Sequence, residues 1–158
     1  MDASDHGFIR IAIEEARKSA SEDARIHPFV GVVVAKAGKE LARSHRGEIP
    51  GNHAEFIALE KKLGQETLAG STVYTTLEPC PMCAAAVYWA KIRSVFFATS
   101  GKTGAKYGFN DDFIRNDLAK SSSQRIIPHF SCDVPEADKV LEDWSAAGLA
   151  ASQPFGHP

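Results

Sequence analysis

Apolar and polar positions recur along this chain with two different periods, and the switches between them mark the elements. Phe8, Ile11, Ala12, Ala16 and Ala20 follow a helical period with Glu14, Arg17 and Lys18 on the other side, which predicts a surface helix over 4–20. The β-branched run from Pro28 to Ala35, the turn Ala37-Gly38 and the return Glu40 to His45 predict a hairpin. After the turn formers of 46–52, with Asn52 as N-cap, Phe56, Ile57, Leu59 and Leu63 place a helix over 53–63. A strand over 72–76 leads through Pro79-Cys80-Pro81 into a helix over 82–91, in which Trp89 reads as a core residue. A strand over 94–99 follows, then a Gly-rich loop over 100–108 and a helix over 111–118. Arg125 to Ile127 with Phe130 to Cys132 read as a last strand broken at Pro128, with Cys132 as a small buried residue. A final helix covers 136–147, its apolar positions Ala137, Val140, Leu141 and Trp144. This order predicts an α/β domain over 1–150 with a mixed sheet of about five strands and helices on both faces; the tail 151–158 has no period.

Composition narrows the class. With 44% hydrophobic and 24% charged residues in a chain of 158, one ordinary globular domain is expected. The net charge of −2 gives no global attraction to phosphate, so nucleic acid is not favoured as a partner. The acidic start Met1-Asp2-Ala3-Ser4-Asp5 is unlike a secretory signal, and no run approaches the roughly 20 apolar residues that span a bilayer. The 3 cysteines cannot all pair, which fits a reducing cytoplasm.

Two short segments carry chemistry: His53-Ala54-Glu55 and Cys80-Pro81-Met82-Cys83, each at a predicted helix start. Cys80 and Cys83, at i and i+3, can turn both sulfurs to one side, where the positive helix end favours thiolate. Two thiolates and the neutral imidazole of His53 suit Zn²⁺, and a position left open to water implies catalysis. Glu55 is then the candidate proton shuttle. On an ideal helix i and i+2 point nearly opposite ways, so His53 and Glu55 converge only if the first turn departs from helical geometry. A closed structural zinc site would want a further Cys or His pair, and a redox Cys-x-x-Cys leaves the His-Ala-Glu segment without purpose.

His-Ala-Glu followed downstream by Pro-Cys-x-x-Cys resembles the zinc-dependent cytidine deaminase superfamily. The resemblance implies a three-layer α/β/α fold, attack of a water-derived nucleophile on an amidine-like ring carbon, and release of ammonia. It implies zinc ligation by His53, Cys80 and Cys83 and proton transfer by Glu55.

In the C-terminal half, Tyr88-Trp89-Ala90-Lys91, Val95-Phe96-Phe97 and Gly108-Phe109-Asn110-Asp111-Asp112-Phe113-Ile114 are similar to bacterial guanine deaminases; Pro28-Phe29-Val30-Gly31 and His45-Arg46-Gly47 look more like the deaminase domain of riboflavin synthesis. Arg46 matches the position where guanine and tRNA adenosine deaminases usually carry a base-binding Asn, and it reads either as a solvated loop residue or as a substrate contact. The expected reaction is guanine to xanthine. The alternatives are a tRNA adenosine deaminase, a deaminase of a pyrimidine base, nucleoside or riboflavin-pathway pyrimidine, and a non-catalytic zinc-stabilised purine-binding module. For guanine, Phe29 is expected to stack on the ring and Asp111 or Asp112 to accept its N–H groups, although an acid pair at a helix start serves that helix as well. The resemblance further implies a homodimer that buries apolar surface of the 82–91 helix, and a tail whose Phe155 covers an active site or is simply a frayed terminus.

Overall fold

Val32, Val33 and Val34 are each fully buried, although successive strand residues point to opposite faces. A strand buried on both sides must be covered on both sides, and this fixes the architecture. In the computed structural model, which describes residues 2–19, 28–61, 68–132 and 134–146, strand β1 (Gly31–Lys36) sits inside a sheet of order β2-β1-β3-β4. Its neighbours are β2 (Lys39–His45) and β3 (Thr72–Leu77), both antiparallel to it; β4 (Ser94–Thr99) runs parallel to β3.

On one face Val33, Ala35 and Tyr74 meet Ile9 and Ala12 of helix α1 (Ala3–Ala16). On the other, Val32, Val34 and Val73 meet Ala54, Ala58 and Leu59 of α2 (Ala54–Glu60) and Val87 of α3 (Pro81–Trp89). The result is the expected three-layer α/β/α sandwich, and each of those buried valines contributes about 1.5–3 kcal/mol. Gly31 lets α1 lie directly on β1: a Cβ there would sit 2.0 Å from the Ala12 carbonyl oxygen and 2.3 Å from the Ala16 nitrogen. At the far end of α1 the buried Glu15 accepts from Lys18 Nζ at 2.8 Å and lies 2.9 Å from His45 Nδ1, tying the helix to the end of β2.

The chain divides into two compact units, Met1–Ala119 and Lys120–Pro158. The first also holds α4 (Gly101–Ala105) and α5 (Asp112–Leu118). Within the second, Ser122–Gln124 form a 3₁₀ turn and Pro135–Ala146 form α6, on which Lys139 pairs with Asp143 at 2.6 Å.

Four expectations are corrected. The sheet has four strands, not five: among the described residues 125–127 and 130–132 join no ladder, and Pro128 supplies no N–H between them. The segment 100–108 is not a loop throughout, since the Ser100 hydroxyl accepts the Thr103 N–H at 3.2 Å and starts α4. Trp89 is exposed, because α3 turns Cys83 and Val87 toward the sheet and Trp89 away from it. Cys132 is exposed too. The expected tail 151–158 with Phe155, and the ends of the first, second and last helices at Ala20, Leu63 and Ala147, lie outside the described residues.

Candidate metal centre and active site

Both chemistry-bearing segments start helices on one face of the sheet. After β2 the chain turns at Arg46, whose backbone N–H donates to the Val30 carbonyl at 2.9 Å. Its guanidinium reaches forward to the Asn52 carbonyl, Nη1 to O 3.0 Å, and closes the 46–52 turn on itself. His53, and not the expected Asn52, is the N-cap of α2, with extended backbone, φ −78° and ψ 147°. Because His53 is not helical, the i, i+2 conflict with Glu55 disappears and both side chains face the same cleft. On the other arm, the Glu78 N–H donates to the Thr99 carbonyl at 2.8 Å, and Glu78 Oε2 accepts from the Gly101 N–H at 2.8 Å. Cys80 is the N-cap of α3, Pro81 opens the helix, and Cys83 lies one turn in.

The two arms bring three candidate ligand residues together. His53 Nδ1 lies 3.5 Å from Cys80 Sγ and 3.3 Å from Cys83 Sγ, and one ligand atom from each of the three residues falls within 4.8 Å of the others. Cys83 Sγ also donates to Glu55 Oε2 at 3.4 Å. The thiols compete for a proton: the Cys83 contact holds the Cys80 thiol down at about 4, and the same contact with Cys80 pushes the Cys83 thiol up. Contact with Cys80 raises the His53 imidazole, and burial raises the Glu55 carboxyl. Two sulfurs and an imidazole, closely spaced and half to fully buried, match zinc in donor type and number for a site with one position open.

The cleft beside these ligands is lined by Val30, Arg46, Glu55, Glu78 and Phe109, together with His53 and Cys80. Arg46, expected as either a loop residue or a substrate contact, is 6% exposed and faces this cleft. Phe29 is exposed and is not among the lining residues, although its neighbours Pro28 and Val30 are. Asp111 is buried with Oδ2 3.1 Å from Arg115, and Asp112 is exposed in the first turn of α5. Glu78, Phe109 and Arg115 carried no functional expectation. The i, i+4 pairing of Asp111 with Arg115 was a visible signal for the last of these.

With this geometry, similarity to known proteins is informative. Residues 2–99 match the cytidine and deoxycytidylate deaminase zinc-binding region. The chain belongs to this family, and it is a zinc-binding hydrolytic deaminase with the cytidine-deaminase-like fold. It is 35% identical to the guanine deaminase of Bacillus subtilis over 124 residues, 74% of this chain and 79% of that protein. It is 36% identical to a tRNA-specific adenosine deaminase of Agrobacterium fabrum over 141 residues, 78% of this chain and 91% of that one. The X-ray structure of the Bacillus subtilis guanine deaminase superposes with a TM-score of 0.73 at 30% identity, covering 98% of each chain. No helix among the described residues is long and apolar enough to cross a membrane.

Proposed function

We propose that this enzyme converts guanine and water to xanthine and ammonia. The observation that carries the reading is the structural match to a guanine deaminase over 98% of both chains. The cleft supports it. Arg46 offers only hydrogen-bond donors, and guanine presents the paired acceptors O6 and N7, the edge an arginine fork recognises best, whereas adenine presents N7 beside an amine donor. In this reading His53, Cys80 and Cys83 hold the zinc, which supplies Lewis-acid activation of a water molecule as nucleophile. Glu55, buried beside Cys83, accepts the water's proton at Oε2 and delivers it to the departing amine at C2. Phe109 and Val30 give the cleft apolar walls that exclude competing water.

The enzyme is proposed to work in the cytoplasm, where its thiol ligands stay reduced, and as a homodimer. A groove between α2 and α3, lined by Phe56, Leu59, Met82, Ala86 and Trp89, is the surface a second copy would cover. A Trp89→Glu variant that remains dimeric by light scattering would remove that assignment. Substrate is tested by ammonia release from guanine, cytosine, adenine, their nucleosides and nucleotides, and a tRNA anticodon stem-loop. Turnover of guanine above the others is the expected result. Turnover of the stem-loop adenosine with guanine inert would overturn the guanine reading and leave the deaminase class intact.

A further inference from the structure

Cys80 lies between two prolines, so across Pro79-Cys80-Pro81 only one residue has a backbone N–H. A segment this poor in donors is held through its carbonyls. The Cys80 carbonyl is taken inside the helix, by the Ala84 N–H at 2.8 Å. The Pro79 carbonyl belongs to the same peptide group as the Cys80 nitrogen, and Pro79 is buried, so its oxygen needs a donor from elsewhere. That donor is Arg115 of α5: Nη2 bonds the Pro79 oxygen at 2.5 Å and Asp111 Oδ2 at 3.1 Å. Asp111 is 6% exposed, one helical turn before Arg115, and its carboxylate both balances and aims the guanidinium.

We infer that Arg115, aimed by Asp111, is a positioning residue that sets the orientation of the Pro79–Cys80 peptide and thereby the direction in which the Cys80 sulfur meets the metal. Rotation about the bonds flanking that peptide swings Cys80 Sγ, whereas Cys83 is fixed by its place within α3. The bond is charge-assisted, and its donor is planar, so it restrains the tilt of the peptide as well as its distance. Glu78 provides a second anchor one residue earlier, through the Gly101 N–H of α4. Thus α4 and α5, which supply no metal ligand, brace the loop that does. Asp111, expected to bind the substrate, is engaged in that brace.

The test uses full-length zinc protein and three variants. Arg115→Met is expected to weaken zinc binding by about 10-fold or more, measured by competition with a chromophoric chelator. It is also expected to shift the thiolate-to-metal charge-transfer band of the cobalt-loaded protein. Arg115→Lys, which still donates to the Pro79 oxygen, restores part of the affinity, and Asp111→Asn weakens it by less than Arg115→Met. A purely structural contribution lowers the melting temperature of the metal-free protein and moves neither readout. Arg115→Met with wild-type zinc affinity and an unchanged cobalt spectrum would therefore overturn the inference. Should Arg115→Met fail to fold, Asp111→Asn decides by the same two measurements, wild-type values again overturning it.

Discussion

Helix α1 and the pair α2 and α3 begin in opposite ways. At α1 the N-cap Asp2 accepts the N–H groups of Ser4 at 2.8 Å and Asp5 at 3.0 Å, and Asp5 Oδ2 answers by accepting the Asp2 N–H at 2.7 Å. This capping box satisfies helix donors that would otherwise lack partners. At α2 and α3 the N-cap residues are His53 and Cys80, and neither makes a side-chain capping hydrogen bond. The same position that serves stability in α1 is given over, in the other two, to side chains of the proposed zinc site. The N-cap side chains of the active-site helices turn to the His-Cys-Cys cluster instead, so these helices start without the cap that would strengthen them.

The sharpest way to break this comparison is to cap the wrong helix. His53→Asn places a favourable N-cap at α2 in place of a ligand. Zinc content and turnover are expected to collapse, while the zinc-stripped variant melts above the zinc-stripped wild type, the cap contributing about 1 kcal/mol. Metal analysis with calorimetry on both stripped proteins checks the two halves separately.

Glu55→Gln leaves the proposed ligands in place and removes the proposed proton acceptor. Zinc stoichiometry should remain at wild-type level while kcat falls by roughly 10²–10⁴. Zinc loss in this variant would count Glu55 among the ligands instead.

On the structural side, Gly31→Ala puts a methyl group against the α1 backbone, where the Ala12 oxygen would be 2.0 Å away. The helix must shift, at about 1–3 kcal/mol or more by chemical denaturation. Zinc affinity of the folded fraction should hold, because α1 carries no ligand.

The smallest effect belongs to the α1 cap. The Ser4 hydroxyl and Asp5 N–H hold the Asp2 carboxyl below its ordinary 3.8, and the Tyr74 hydroxyl with the Asp2 N–H does the same for Asp5. Groups lowered on folding stabilise the protein above their unfolded pKa, and that contribution fades as pH falls through the folded value. Asp2→Ala should therefore lower the melting temperature slightly at pH 7, leave kcat/KM unchanged, and flatten the loss of stability below about pH 4. An equal destabilisation at pH 7 and pH 2 would show that the cap does not titrate.

Local spacing made much of this legible in the sequence. Cys80 and Cys83 are one turn apart, His53 and Glu55 are two residues apart, and the β-branched run of β1 with the turn Ala37-Gly38 announces a hairpin. The errors arose where local pattern and tertiary context disagree. Isoleucines and Phe130 near Pro128 have strand propensity, but a strand exists only beside a partner, and propensity does not say whether one is there. The glycines of 100–108 resembled flexibility, yet Gly104 serves close packing: a Cβ there would stand 3.2 Å from Leu77 Cδ1. Trp89 misled because α3 is apolar nearly all round, so its periodicity does not reveal which face meets the sheet. The Arg115 brace depends on a carbonyl 36 residues away, a distance no local pattern spans.

The hairpin joining β1 to β2 has a practical consequence. Its two turn residues, Ala37 at φ 50° and Gly38 at φ 75°, are exposed, and no side chain would clash at Gly38. Lys36 faces Lys39 at that end of the ladder and Gly31 faces His45 at the other, next to the cleft, so about 20 Å of strand separates the tip from the chemistry. The tip is the natural attachment point on this molecule: a peptide tag, a fluorophore or a surface tether grafted between Ala37 and Gly38 extends away from the metal ligands and leaves substrate entry open.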